Sequence, residues 1–272
     1  MALDLKSLLI GTPLEPLARA IHRRLRGQLH SVPNRQPQAW ARRVERDQAL
    51  TRRLLQEAIG RTSNCVDVGA HTGEFLAEFT TRAPDGRHTA VEALPSYAAA
   101  LVARFPGVTV HHCAVGNRAG RAVFRHALDT PGWSGLEAQP YPGGSRVELL
   151  DVPLARLDDL IPAEQPVHFL KVDVEGGELG VFEGARRILL RWRPVVLFEH
   201  AWLHSAGYGT TATAMHALLV GEYGLAIYSL DGRGPHDRES FAALCAASDR
   251  SNYDADAETN FIARPPPGAV TS

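Results

Sequence analysis

The sequence predicts an α/β fold: a seven-stranded, mainly parallel sheet with helices on both faces, an N-terminal helical extension and an inserted strand-loop-strand lid. Three observations lead there. Short β-branched runs alternate with amphipathic stretches, the pattern of repeated strand-helix steps that builds a parallel sheet. Five such steps are followed by two late strands with no obvious long helix between them. A glycine-rich turn, Gly69 to Gly73, lies where the first strand hands over to the first helix, as a nucleotide-binding loop requires.

Taken in order, residues 1–61 form the helical extension, rich in Arg, Ala, Leu and Gln, with a break at Pro33 and Pro37. It reads more readily as a packing helix over one sheet face than as a lid or dimer arm. Its pairs Arg23-Arg24 and Arg42-Arg43 suit a solvated helix face. The domain proper, 62–264, is expected to hold strands at 64–68, 88–92, 108–113, 167–172, 195–198, 225–230 and 259–263. Helices are expected at 72–82, 96–104, 179–191 and 212–223. Extra strands at 120–128 and 146–152 flank a long Pro- and Gly-rich segment, read as an active-site lid because long loops in compact domains are commonly functional. The tail, 265–272, is too polar and Pro-rich to pack.

The 272 residues carry 29 Lys and Arg against 30 Asp and Glu, so no excess positive charge is available for a phosphate backbone, and nucleic acid is not the expected partner. Cys65, Cys113 and Cys245 are odd in number and form no CxxC pair, which points to small core residues in a reducing compartment. The apolar run Leu8-Leu9-Ile10 is broken at once by Gly11 and Pro13, so neither a leader peptide nor a membrane span is expected, and a cytoplasmic protein follows.

In the loop after the first strand, Asp67, Gly69, His71 and Gly73 are candidate cofactor-binding residues. Glycines permit a tight turn and close backbone approach, although many strand-helix turns carry them for structural reasons. Glu92, about 20 residues beyond Gly73 at the end of the second strand, is placed to accept hydrogen bonds from ribose hydroxyls. The third glycine of the dinucleotide fingerprint is missing, which disfavours NAD. Asp67 suits a cationic sulfonium nucleoside better than a pyrophosphate; equally, it organises the loop through backbone amides. Ala114 and Val115, at the end of the third strand, offer a slot for an adenine ring.

The run Val66-Asp67-Val68-Gly69-Ala70-His71-Thr72-Gly73 resembles the first motif of methyltransferases. Phe169-Leu170-Lys171-Val172-Asp173-Val174-Glu175-Gly176-Gly177-Glu178 closely resembles the signature of the FkbM family, and 182–185 and 195–200 fit its pattern. The resemblance spans roughly residues 64–263 and is most specific over 170–184. It implies a Rossmann-like methyltransferase sheet, S-adenosyl-L-methionine as methyl donor, and O-methylation of a sugar or related metabolite. His71 departs from it, since the family more often has Asn there.

Methyl transfer to an alcohol needs the acceptor oxygen aligned and its proton removed. Asp173, Glu175 and His200 are the candidate catalytic residues, with Asp173 also bordering the cofactor. Asp173, Glu199 and His200 are candidate ligands for a hard cation such as Mg²⁺; alternatively His200 acts alone as base, oriented by a carboxylate. Glu178 serves equally well as a helix cap. His112 and His204 read as surface or packing histidines, and Trp133, Trp202 and Tyr208 as aromatic loop residues able to stack on a sugar. The expected partner is a small-molecule or saccharide acceptor, with a homodimer compatible. Other readings are an N- or carboxyl-methyltransferase on a peptide or small molecule, and a non-catalytic nucleotide-binding domain.

Overall fold

The computed structural model describes residues 36–249 and 257–268. In chain order its strands are β1 (Cys65–Val68), β2 (Thr89–Glu92), β3 (Thr109–His112), β4 (Ala114–Val115), β5 (Gly120–Ala127), β6 (Val147–Ala155), β7 (Phe169–Val172), β8 (Val195–Glu199), β9 (Ala226–Ser229) and β10 (Asn260–Arg264). Its α-helices are α1 (Gln36–Ala58), α2 (Glu74–Arg82), α3 (Pro95–Arg104), α4 (Leu157–Leu160), α5 (Glu178–Glu183), α6 (Arg186–Arg191), α7 (Trp202–Ser205), α8 (Ala212–His216) and α9 (Arg238–Asp249).

Seven strands pair in the order β3-β2-β1-β7-β8-β10-β9. The β3-β2-β1-β7-β8 pairings are parallel, and β10 runs antiparallel to both β8 and β9. Every residue of β1, β2, β7 and β9 is buried, as expected of strands covered on both faces. One face receives Leu54 and Leu55 of α1, Leu76 and Phe79 of α2 and Leu101 of α3. The other receives Phe182 of α5, Ile188 and Leu189 of α6, Met215 of α8 and Phe241 of α9. The helix α1 is therefore a packing helix. The strand order reverses between β1 and β7, which opens a crevice at the carboxyl ends of those two strands.

The inserted strands form a second sheet, β4-β6-β5, in which β5 and β6 pair antiparallel along eight residues and β4 joins β6 in parallel. One face of this hairpin, through Ala122, Phe124, Val152 and Leu154, packs on Ala93, Leu94 and Ala114 at the edge of the crevice.

Four sequence expectations need correction. A 12-residue helix, α9, does connect the two late strands. Its apolar stripe is thin, essentially Phe241, Leu244 and Cys245, and Asp237 caps its start by accepting from the Ser240 amide at 2.8 Å. The helix expected at 179–191 is two, because Asp158 accepts the amides of Arg187 and Ile188 and so starts a new helix at α6. The segment at 212–223 widens into a π-helical turn at Ala217–Glu222. Pro37 opens α1 instead of breaking a helix, a position where its missing N–H costs nothing. The Arg23-Arg24 pair and residues 269–272 lie outside the described residues. Cys65, Cys113 and Cys245 are all buried, and burial pushes the Cys65 thiol up to about 12. Among the described residues no helix is long and apolar enough to cross a membrane.

Candidate active site

A cavity of about 260 Å³ lies at the carboxyl ends of β1, β2 and β7. Its walls include Gly69, Ala70 and His71 from the first loop, Glu92 from β2, and Ala114 and Val115 from β4. Lys171, Asp173 and Glu175 close one side, and Pro131, Ser134 and Leu136 of the insert close the top.

The first loop is shaped by backbone demands. Gly69 has φ +78°, and a Cβ there would stand 1.9 Å from the carbonyl oxygen of Asp173, so only glycine lets the β1 and β7 turns pass. Glu92 is 6% exposed and binds this loop from beneath: one oxygen accepts the His71 amide at 2.7 Å, the other the Leu94 amide at 2.8 Å. A carboxylate offers about four lone-pair sites, so two remain for a ligand. Burial raises the Glu92 pKa against the pull of those two amides. His71 adopts φ +47° and sets its ring 4.4 Å from that of Tyr97. Gly73 stands outside the cavity wall, packed against Leu101 and Phe105.

Asp67 is a correction. Sequence reasoning places it among the cofactor-binding residues, yet it is 1% exposed and lies behind the cavity wall. Its carboxylate pairs with the ammonium of Lys171 at 3.2 Å, across the β1–β7 register that sets Asp67 beside Lys171. Lys171 also donates to the Gly69 carbonyl at 2.8 Å and lies 3.6 Å from Asp173. The ammonium thus hydrogen-bonds the Gly69 carbonyl and pairs with two carboxylates, which ties the first loop to the β7 acid. Burial opposes the Lys171 charge, but Asp67 and Asp173 outweigh it and raise its pKa. For Asp67 burial dominates and its pKa is raised, with Lys171 pulling it back. Sequence reasoning assigns Lys171 no role; its signal is a lone cation inside an otherwise apolar strand.

Beside Asp173 the chain gathers a second group. Glu175 has φ +59°, and Gly176, at φ +103°, lets the backbone pass where a Cβ would be 2.2 Å from the His204 carbonyl oxygen. That approach brings Glu175 into an ion pair with His204. Ligand atoms of Glu175, Glu199 and His204 lie within 4.8 Å of one another. Burial raises Glu175 to about 8 and Glu199 to about 7, while Glu175 and the neighbouring acids lift His204 to about 9 against its burial. Glu178 accepts the amides of Val174 and Gly176 at 3.0 and 3.1 Å and so organises the turn.

His200 is the second correction. It is 2% exposed and stacks on Phe241 at 6.0 Å, with Nδ1 3.4 Å from the Ser205 hydroxyl. It neither lines the cavity nor joins the acids, and burial lowers its pKa to about 4. Neighbours at a strand end point to opposite faces, so Glu199 and His200 do not share a site. The groups that converge here are Glu175, Glu199 and His204, and not the expected set Asp173, Glu199 and His200. With its folded pKa below the unfolded value, His200 favours folding above about pH 6.5 and withdraws that support as the pH falls toward about 4. A positioned general base contributes about 10²–10⁴-fold to rate, and His200→Leu is expected to show no such loss per folded molecule. A loss of that size, with normal circular dichroism, would restore His200 as the base.

The insert closes over this group. The Tyr208 hydroxyl accepts the amides of Leu136 and Glu137 at 2.8 and 3.3 Å, and Gln139 donates to the Glu175 carbonyl. The Trp133 ring lies 4.6 Å from that of His204. The side chain of Trp202 lies outside the described residues.

Residues 67–225 match the family model described as the methyltransferase FkbM domain. No curated protein matches the sequence. Among solved structures, the methyltransferase FkbM from Methylobacillus flagellatus KT aligns with a TM-score of 0.46 at 19% identity over 75% of this chain. The alignment covers 44% of that longer chain. The fibrillarin of Aeropyrum pernix, solved with natively bound S-adenosyl-L-methionine, aligns with a TM-score of 0.39 at 14% identity, over 76% of this chain and 67% of its own. The geranyl diphosphate C-methyltransferase of Streptomyces coelicolor A3(2) gives 0.41 at 12% identity, over 79% and 75%.

Proposed function

Since the chain belongs to the FkbM methyltransferase family, we propose that it uses S-adenosyl-L-methionine to methylate a hydroxyl of a sugar, oligosaccharide or glycosylated metabolite. The observation that carries the cofactor assignment is the pair of spare lone-pair sites on buried Glu92, beside the 69–72 loop. They suit a ribose diol. Small Ala114 and Val115 leave space for a flat base, and Asp173 supplies negative charge on the side that a sulfonium favours. Gly69, Ala70 and His71 would hold the amino-acid end.

The bound donor supplies a methyl carbon already activated for displacement, so the chain's own task is alignment and proton removal. Asp173 lines the cavity with a side chain 42% exposed, held from behind by Lys171. We assign it the acceptor's proton: as the methyl carbon would pass from the donor's sulfur to the acceptor oxygen, the C–S electron pair leaving with the neutral thioether, the hydroxyl hydrogen would pass to a carboxylate oxygen of Asp173. The insert, latched through Tyr208 and Gln139, keeps water from the reacting oxygen. Tyr208, on the cavity wall, gives the acceptor side an aromatic border suited to a sugar face.

Calorimetric titration with S-adenosylhomocysteine tests the cofactor, and mass spectrometry of a sugar panel incubated with the methyl donor tests the acceptor. Micromolar binding and a gain of one methyl group on a hydroxyl are expected. Absence of binding would sink the methyltransferase reading; methylation of amines alone would move the acceptor to another class.

A further inference from the structure

A carboxylate is a weak base toward an alcohol, and the group beside the proton acceptor just assigned offers a way to make the alcohol more acidic. We propose that Glu175, Glu199 and His204 form a binding site for one divalent cation of the Mn²⁺ type at the acceptor side of the cavity. The role of that ion rests on the methyltransferase reading; its binding does not.

The three ligands come from three elements: the turn after β7, the end of β8, and α7. Their ligand atoms converge within 4.8 Å, a spacing that one ion can span. Glu175 forms part of the cavity wall, so an ion there borders the space where the acceptor would lie. His204 is 9% exposed, and its Nδ1 and the facing Oε2 of Glu175 are buried against each other in the ion pair described above. An ion entering beside Glu199 would take the place of the proton that these two atoms share and bind both.

Charge balance points the same way. Asp173, Glu175, Glu178 and Glu199 act on one another across this small volume. They are opposed by the imidazole of His204, the ammonium of Lys171 beside Asp173 and the weaker field of Arg43. A divalent cation supplies the missing positive charge without a new side chain. Two carboxylates with one imidazole make a mixed oxygen and nitrogen set, which suits a first-row divalent ion better than Ca²⁺, a cation that prefers oxygen throughout. An ion there lowers the pKa of a coordinated hydroxyl, which leaves a carboxylate adequate as proton acceptor.

The test is uptake of Mn²⁺ by the whole chain, read from the loss of the free-ion electron paramagnetic resonance signal. Saturable uptake of one ion per chain is expected. Glu199→Gln and His204→Gln should weaken it by about tenfold or more, since even groups that merely support a metal ligand carry 10–100-fold in affinity. Ca²⁺ should compete poorly. No uptake by the wild type, or undiminished uptake in both variants, overturns the site; effective competition by Ca²⁺ overturns the share given to imidazole. Circular dichroism of each variant confirms its fold, and Glu175→Gln replaces one that does not fold. S-adenosylhomocysteine titration on the same samples keeps the two readings apart: its failure with Mn²⁺ uptake intact removes the methyltransferase reading and leaves the ion site standing.

Discussion

Replacing Lys171 by methionine is expected to destabilise the fold by about 3–5 kcal/mol, the usual cost of removing one partner of a buried ion pair. Asp67 is 1% exposed and Lys171 7% exposed at the side chain, so water does not take over the lost contact. Methionine keeps the length and fills the space near Phe75, whose ring the ammonium now faces at 5.5 Å. What disappears is the charge that Asp67, Asp173 and the Gly69 carbonyl share. The pH dependence carries the sign. Burial already raises Asp67, and loss of Lys171 raises it further. A carboxyl whose folded pKa exceeds its unfolded value supports folding fully below the unfolded value and loses that support as the pH rises through the folded one. The variant should therefore melt higher as the pH is lowered from about 7 toward about 4, relative to the wild type. Thermal unfolding across that range checks it. An unchanged melting temperature at neutral pH would show that Asp67 is already neutral in the wild type.

The second large effect is expected at Glu92. Alanine there strips the acceptor from two amides, His71 and Leu94, each costing about 1–3 kcal/mol when left buried and unpaired. It also removes the carboxylate assigned to the ribose. Charge-assisted hydrogen bonds contribute about 1.5–3 kcal/mol each, so S-adenosylhomocysteine should bind about 10²-fold more weakly or worse. Calorimetry below the variant's melting transition separates the two consequences. Glu92→Gln retains one acceptor for an amide and should fall between wild type and alanine in both. Full affinity in folded Glu92→Ala would place the nucleoside away from β2 and leave Glu92 as a brace for the loop alone.

Much of the sheet was legible because its strands are short, apolar on both faces and separated by glycine-bearing turns; each of the seven expected strands overlaps an observed one. The inserted hairpin was legible for a related reason, since paired β-branched segments flank a Pro- and Gly-rich stretch. The candidate site was harder to read, and the histidines show why. Glu199-His200 looks like an acid and imidazole side by side, but alternation along a strand end separates them, and the imidazole that returns to the acids is His204 in the following helix. Asp67 and Lys171 are 104 residues of chain numbering from one another only in appearance of distance: their contact depends on β1 lying beside β7, a register that composition and periodicity do not specify. The helix α9 escaped because one Phe, one Leu and one Cys make too faint a stripe beside its Asp237 cap.

The cover over the cavity fastens to the very segment that bears Glu175 and His204, through Gln139, Trp133 and Tyr208. On the proposed function, admission and reaction would exclude each other in time. Whatever lifts the insert to admit a bulky acceptor also takes Trp133 off His204 and Gln139 off the Glu175 turn, so the opened molecule has lost the arrangement that would act on the guest. Turnover would then include a mechanical step of relatching before each transfer, and a looser latch would speed exchange while making fewer encounters productive.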